Sequence, residues 1–510
     1  MNFIRVIRAF FLGCPLVLAL SISSASAQVH GSGVSASSLF DTVINLPTDM
    51  PSIGGNVNFG GVAGQTNQVN LSSGGAIGNQ FDAREGSEIN ISGGTVGVNF
   101  NAIGENFGQG PGRTSEVNIS GGTVGERFIA RAAEVNISGG IVERDFTAGA
   151  DSRVTISGGN IGPSIEVVNG GELEIIGTDF QFQGSAVNGP ITVTSSSLNG
   201  GVLSGTLADG SAFIFSSFTG DRFFDATLTE SSVAIPAPSL APIVVDGSTG
   251  SVPEGLRSGQ TLTVQTGGAL PENFQAVNST INVQDGNVGR VELAGGEINI
   301  SGGTISSFSA SLDSVANITG GTVGGVGLAP GAELNVSGGN LGGFSGSSRP
   351  NGLDSTFNLS GGVVDSISTG FGVINVSGGE VNSIRIEGGE LNYSGGVIRD
   401  RRFLGGVETS ETLERTLFSV VPSDINLFGT EFFLDGVLIN DPNRFLIDRS
   451  LDGILSGRLF DGSAISLDLS QRDVFADNTT LTVSVVPEPG STLFLTLLTI
   501  GGLVGRRRKG

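Results

Sequence analysis

The sequence predicts an all-β fold: two tandem parallel β-helix (β-solenoid) arrays, each followed by a β-rich capping block, with a transmembrane helix at the C-terminus. Three observations carry this expectation. First, the stretch Glu116-Val117-Asn118-Ile119-Ser120-Gly121-Gly122-Thr123-Val124-Gly125 recurs in near-copies. Asn-Ile-Ser-Gly-Gly or a close variant starts at Asn90, Asn118, Asn136, Asn299, Asn317, Asn335, Asn358, Asn375 and Asn392, with weaker forms at Asn70, Thr155, Glu174 and Asn282. Second, most steps between these starts are 17 to 20 residues. That is too short for helix-pair repeats, which take over ~30 residues, and suits a β-solenoid rung. Third, Gly177-Thr178-Asp179-Phe180 and the stretch 203–212 return as Gly429-Thr430-Glu431-Phe432 and 455–464, both offset by 252 residues, so an array plus its terminal block is duplicated.

Within a rung, Val117 and Ile119 alternate with Glu116, Asn118 and Ser120, which on a strand puts the apolar pair inward and the polar set outward. Gly121-Gly122 reads as a corner, because residues without a Cβ tolerate the positive φ of a sharp turn. Val124 then points back inward, and Phe128 with Ala130 begins another alternation that returns as Phe81/Ala83, Phe100/Ala102 and Phe146/Ala148. Each large inward side chain contributes about 1.5–3 kcal/mol on burial, whereas ordering each backbone residue costs roughly 1–2 kcal/mol. One rung therefore cannot fold alone, and stability grows as rungs stack ~4.8 Å apart. The outward Asn column is placed to form amide ladders between rungs.

Residues 1–27 read as a signal peptide: Arg5 and Arg8, an apolar run over 10–20, and a cleavage site at Ala25-Ser26-Ala27 recognised through Ala25 and Ala27. The protein is thus expected to be exported. Residues 29–234 form the first array plus cap, 235–243 a linker punctuated by Pro236, Pro238 and Pro242, and 243–485 the second array plus cap. Two longer steps place insertion loops at 104–113 and 342–351.

Composition excludes several chemistries. Cys14 is the only cysteine and lies in the leader, so a disulfide framework, thiolate metal sites and a Cys nucleophile are not expected. His30 is the only histidine, and Lys509 the only lysine. The net charge is −23; losing Arg5, Arg8, Arg506, Arg507, Arg508 and Lys509 leaves −29, a surface that repels nucleic acid and anionic lipid. No cofactor or metal is expected, since phosphate-loop, zinc-ligand and calcium-repeat patterns are missing. Tryptophan is absent and Tyr393 is the sole tyrosine, which removes the usual aromatic sugar platforms. The best local candidate for carboxylate chemistry is Glu143-Arg144-Asp145, with Asp151 and Arg153 nearby, where alternation would put Glu143 and Asp145 on one face. Solvated charge on an outward face explains the same residues more simply.

The tail at 486–510 has three parts in order: Pro487-Glu488-Pro489, an apolar stretch over 491–505, and Arg506-Arg507-Arg508-Lys509. The apolar stretch is about 24 Å long as a helix, short for a ~30 Å bilayer core but workable with thinning, and the basic cluster would stay cytoplasmic. This arrangement closely resembles the PEP-CTERM sorting signal of Gram-negative bacteria. The resemblance implies that Pro487, Glu488 and Pro489 are recognised by an exosortase, a membrane cysteine protease, in cells that make exopolysaccharide. It implies a membrane-anchored envelope form before processing, then a cell-surface or extracellular-matrix form, with exopolysaccharide as a candidate partner. The repeats also resemble those of large Gly/Asn-rich surface proteins that carry such tails. The expected role is structural or adhesive and non-enzymatic; the alternative is a β-helix polysaccharide lyase or glycosidase.

Overall fold

The computed structural model describes residues 43–485 apart from internal stretches, the longest being 61–66, 105–113, 194–200, 347–353, 410–416 and 470–478. The leader with Ala25 and Ala27, His30, and the tail with Pro487, Glu488, Pro489, Arg506, Arg507, Arg508 and Lys509 lie outside the described residues. Among the described residues every regular element is a strand, and the strands wind into a parallel β-solenoid of about 15 turns.

The repeat sits where its alternation requires. In the strand Ser115–Val124, Ser115, Val117, Ile119 and Val124 are buried, and Glu116 and Ser120 are exposed. Asn90, Asn118 and Asn136 fall directly above one another in parallel register. The Gly-Gly pair is a bulged corner in that strand. Gly122 has φ +76°, and a Cβ on Gly121 would lie 2.6 Å from the Ser92 carbonyl oxygen, so the two glycines answer different constraints.

Outside the core the Asn column is a continuous ladder. Asn70, Asn90, Asn118 and Asn136 each donate through Nδ2 to the Oδ1 of the Asn below, at 2.9–3.0 Å, starting from Asn45. A second ladder climbs from Asn282 through Asn299, Asn317, Asn335, Asn358, Asn375 and Asn392 to Asn426. The neighbouring Ser column donates to backbone carbonyls of the rung below, as from Ser92 to Leu71 and from Ser377 to Leu359.

One residue per rung separates two cross-sections. In the earlier rungs Val96 and Phe100, Val124 and Phe128, and Val142 and Phe146 are four residues apart; in the later rungs Ile305 and Phe308, Leu341 and Phe344, and Val364 and Ile367 are three apart. The extra residue is absorbed in a left-handed turn at Asn99, Arg127 and Asp145, with φ 58°, 62° and 65°. Where a later rung also takes four residues, Leu270 to Phe274, Asn273 is left-handed too. The turn interrupts the ladder, so short strands such as Asn101–Ile103, Ile129–Arg131 and Thr147–Ala148 form a separate seven-stranded sheet. Without it the later strands run unbroken through the corner, as in Glu333–Gly346, Thr356–Thr369 and Val373–Ile386.

The core is a column. Phe59, Phe81, Phe100, Phe128 and Phe146 are fully buried, with successive ring centroids 4.8–6.0 Å apart. The later insertion begins further along than the repeat spacing suggests: Gly343 to Gly346 stay in register with Ser366 to Thr369, and the extra chain falls at 347–353, outside the described residues.

Antiparallel hairpins close the rungs. Val202–Leu207 pairs with Glu172–Phe182 and with Ala212–Ser216; Ile454–Leu459 pairs with Asp424–Leu434 and with Ala464–Asp468. At each hairpin turn a carboxylate seats on the Gly-Gly corner of the rung beneath. Asp209 Oδ2 accepts from the Gly159 amide at 2.8 Å, and Asp461 Oδ2 from the Gly396 amide at 2.5 Å. Residues 234–242 carry no strand, and the Pro236 carbonyl accepts from Arg257 at 2.9 Å.

Candidate functional site

The acidic candidate of the sequence falls in a corner and not on a strand. Glu143, Arg144 and Asp145 occupy the four-residue corner after Val142, where Asp145 is left-handed, so strand alternation does not apply to them. Arg144 is instead committed across rungs: its Nε lies 2.9 Å from Glu126 and 3.9 Å from Asp145. The hydrogen bond and charge of Glu126 hold the Arg144 guanidinium above its ordinary range. Arg153 pairs with Glu172 at 2.9 Å, both well exposed, and Asp151 sits in a left-handed turn. Such exposed pairs between neighbouring rungs are the commonplace result of stacking charged positions. Tyr393 is buried, its hydroxyl donating to the Gly396 carbonyl at 2.9 Å, so it supports the corner beneath Asp461.

A different pair of carboxyls is brought together where the hairpin Val202–Leu207 and Ala212–Ser216 meets the flank of the later rungs. Val202, Ala212 and Ile214 pack there against Val277 and Ala294. Polar side chains lock the same seam. Asn160 donates to the Asn273 carbonyl at 2.9 Å, and Gln275 donates to the Ile161 and Ile214 carbonyls at 3.0 and 3.3 Å while accepting from the Ile214 amide at 3.2 Å.

Asp221 and Glu292 lie beside this seam, 1% and 2% exposed. Asp221 is well provided for: it accepts from the Ser216 amide at 2.6 Å, the Ile165 amide at 2.8 Å and the Thr219 hydroxyl at 3.2 Å. Burial nonetheless outweighs these bonds and pushes its carboxyl up to about 7. Neither Glu292 oxygen has a hydrogen-bond partner among the described residues, and the nearest cation, Arg290, stands 3.4 Å away. Burial first, then the charge of Asp221, push Glu292 up to about 8, against the pull of Arg290 and of a Gln275 amide already spent on two carbonyls. Glu292 floors a cleft of about 110 Å³ whose polar lining includes Ser216, Thr219, Ser309, Ser311 and Ser345.

Sequence reasoning misses this pair for a physical reason. In Val291-Glu292-Leu293 alternation puts Glu292 outward, and only the docked hairpin makes that outward position an interior one. Among the described residues no three Asp, Glu, His or Cys side chains converge on a metal position, and no helix is long and apolar enough to cross a membrane. Comparison with models of protein families, with curated proteins and with solved structures finds no match to this chain.

Proposed function

We propose that this protein is an exported structural or adhesive component of the bacterial cell surface or extracellular matrix, sorted through its C-terminal tail. The observation that carries the reading is the tail itself, with Pro487-Glu488-Pro489, an apolar stretch and Arg506-Arg507-Arg508-Lys509 in the order of a PEP-CTERM signal, opposite a leader ending at Ala25-Ser26-Ala27. In this reading the chain is two duplicated array-plus-cap units, 29–234 and 243–485, joined by the proline-punctuated linker. The apolar stretch is a transmembrane helix that holds the protein in the envelope until an exosortase-type protease acts at the tail. The use made of the repeat's polar residues supports a structural role: the Asn and Ser columns are engaged in rung-to-rung bonding. An extended acidic surface on a stiff scaffold suits contact with a hydrated exopolysaccharide.

Intact mass spectrometry of the protein from separated membrane and matrix fractions tests the reading. A matrix species beginning at Gln28 and ending near Pro489 is expected, and Pro487→Ala/Pro489→Ala should retain a full-length C-terminus in the membrane fraction. A full-length chain confined to membranes in the wild type would rule out the released form.

A further inference from the structure

The first hairpin and the later rungs meet at a seam whose interior holds carboxyl groups instead of apolar side chains alone, and that arrangement has a mechanical consequence. We infer that the seam between the hairpin 202–216 and the rungs at 274–294 is a pH-released joint, closed in acid and loosened at alkaline pH.

The geometry sets the direction. An ionised Glu292 would sit in the seam with no donor on either oxygen and one cation 3.4 Å off. A protonated Glu292 avoids that cost, and opening of the seam removes it by letting water reach the carboxylate. The neighbouring cleft, lined by Ser309, Ser311 and Ser345 beside Glu292, lies where water would enter first.

The charged groups around Glu292 are Asp221 from the hairpin side and Arg290 from its own strand. Gln275 and Ser309, on the two adjoining strands, are uncharged. Elsewhere on the seam Glu254, whose carbonyl accepts from Asn160, is raised by burial and then by Asp209, in the same sense as the others. Asp221 and Glu292 start from ordinary values of 3.8 and 4.5 and stand at about 7 and about 8 when the seam is closed. Between those limits the closed state holds protons that the open state has released, so closure is strongest below the lower limits and weakens as pH rises to the upper ones. Each carboxyl in its window multiplies the open-to-closed ratio about tenfold per pH unit.

Hydrogen–deuterium exchange of the full chain reads this directly, because the Ile214 amide is bonded across the seam to Gln275. Exchange at Ile214, corrected for intrinsic rate and referenced to amides of the Ser115–Val124 rung, should accelerate steadily from pH 5 and level off above pH 8. In Glu292→Gln, which keeps the shape and abolishes the charge, the acceleration should stop near pH 7, leaving only the contribution of Asp221. Arg290→Gln keeps the carboxyl and removes its cation, so there the rise should continue to higher pH than in the wild type. A wild-type Ile214 amide that tracks the reference rung at every pH overturns the inference. So does a Glu292→Gln profile superimposable on the wild type, or an Arg290→Gln rise that ends earlier.

Discussion

At the scale of the residue, the rung is held by side chains whose value depends on having an identical neighbour above and below. Asn118 donates to Asn90 and accepts from Asn136, both at 3.0 Å, so Asn118→Ala leaves one donor and one acceptor of its neighbours without their partners in a half-buried column. We expect a loss of about 1–3 kcal/mol, read as a lower urea midpoint with unchanged slope. The corner glycine is a stricter constraint than the amide. At Gly122 a Cβ would lie 2.7 Å from backbone atoms of Gly93 in a left-handed conformation, and backbone has no rotamer with which to retreat. Gly122→Ala should therefore cost at least as much, roughly 1–3 kcal/mol from the strained dihedral alone, and the same denaturation series checks it.

At the scale of the element, the hairpins show how a parallel ladder is ended. A stack that simply stopped would present a row of free amides and carbonyls to any passing strand. Here a further parallel strand, Ala226–Glu230 or Thr480–Val485, covers one part of the last rung and the antiparallel hairpin turns the rest of the edge aside, with Asp209 and Asp461 taking up corner amides of the rung beneath. Burial alone would raise the Asp461 carboxyl, but the bonds from the Ser463 hydroxyl and the Gly396 and Ser463 amides outweigh it and hold it below the usual carboxylate range. The sign follows: its hold on the corner is complete above the ordinary value of 3.8 and is lost as pH falls through its lower native value. Protection of the Gly396 amide should thus weaken below that pH in the wild type and be weak at all pH in Asp461→Ala, while the Asn118 rung stays protected in both.

At the scale of the molecule, the two hairpins differ in what covers them. Every residue of Val202–Leu207 and Ala212–Ser216 is buried, whereas in Ile454–Leu459 only Leu455 and Leu459 are, and Ile454 is half exposed. The first hairpin is covered on one face by its own rungs, through Leu203, Leu207, Phe213 and Phe215, and on the other by the later rungs, against Val202, Ala212 and Ile214; among the described residues the second has one face open. Its chemistry agrees, with Ser466 and Arg458 where the first carries Ile214 and Thr206. A fragment ending at residue 234 should therefore self-associate through the uncovered Val202, Ala212 and Ile214, and Ile214→Ser should restore a monomer. Analytical ultracentrifugation of the two fragments decides this, and a monomeric wild-type fragment would show that the covered face is not sticky by itself.

The rung, its inward residues and its amide ladder were legible in the sequence because each is a local consequence of period: alternation fixes which side chains of Glu116 to Ser120 point in, and a step near 18 residues brings Asn onto Asn. The left-handed corner was not read from the sequence, although its mark, four residues rather than three between Val124 and Phe128, is present there. The acid pair at the seam had no local mark at all. Glu292 occupies an outward position like any other on its strand, and Asp221 follows a glycine in a turn. Burial of Glu292 is decided by which surface the first hairpin docks against, a contact joining Ile214 to Gln275 across 61 positions of the chain, and Asp221 is shut in by amides as distant as that of Ile165, 56 positions away; no periodicity encodes either. The sequence alone determined that this chain stacks; only the tertiary structure decided where the stack is interrupted and which of its polar residues were shut away from water.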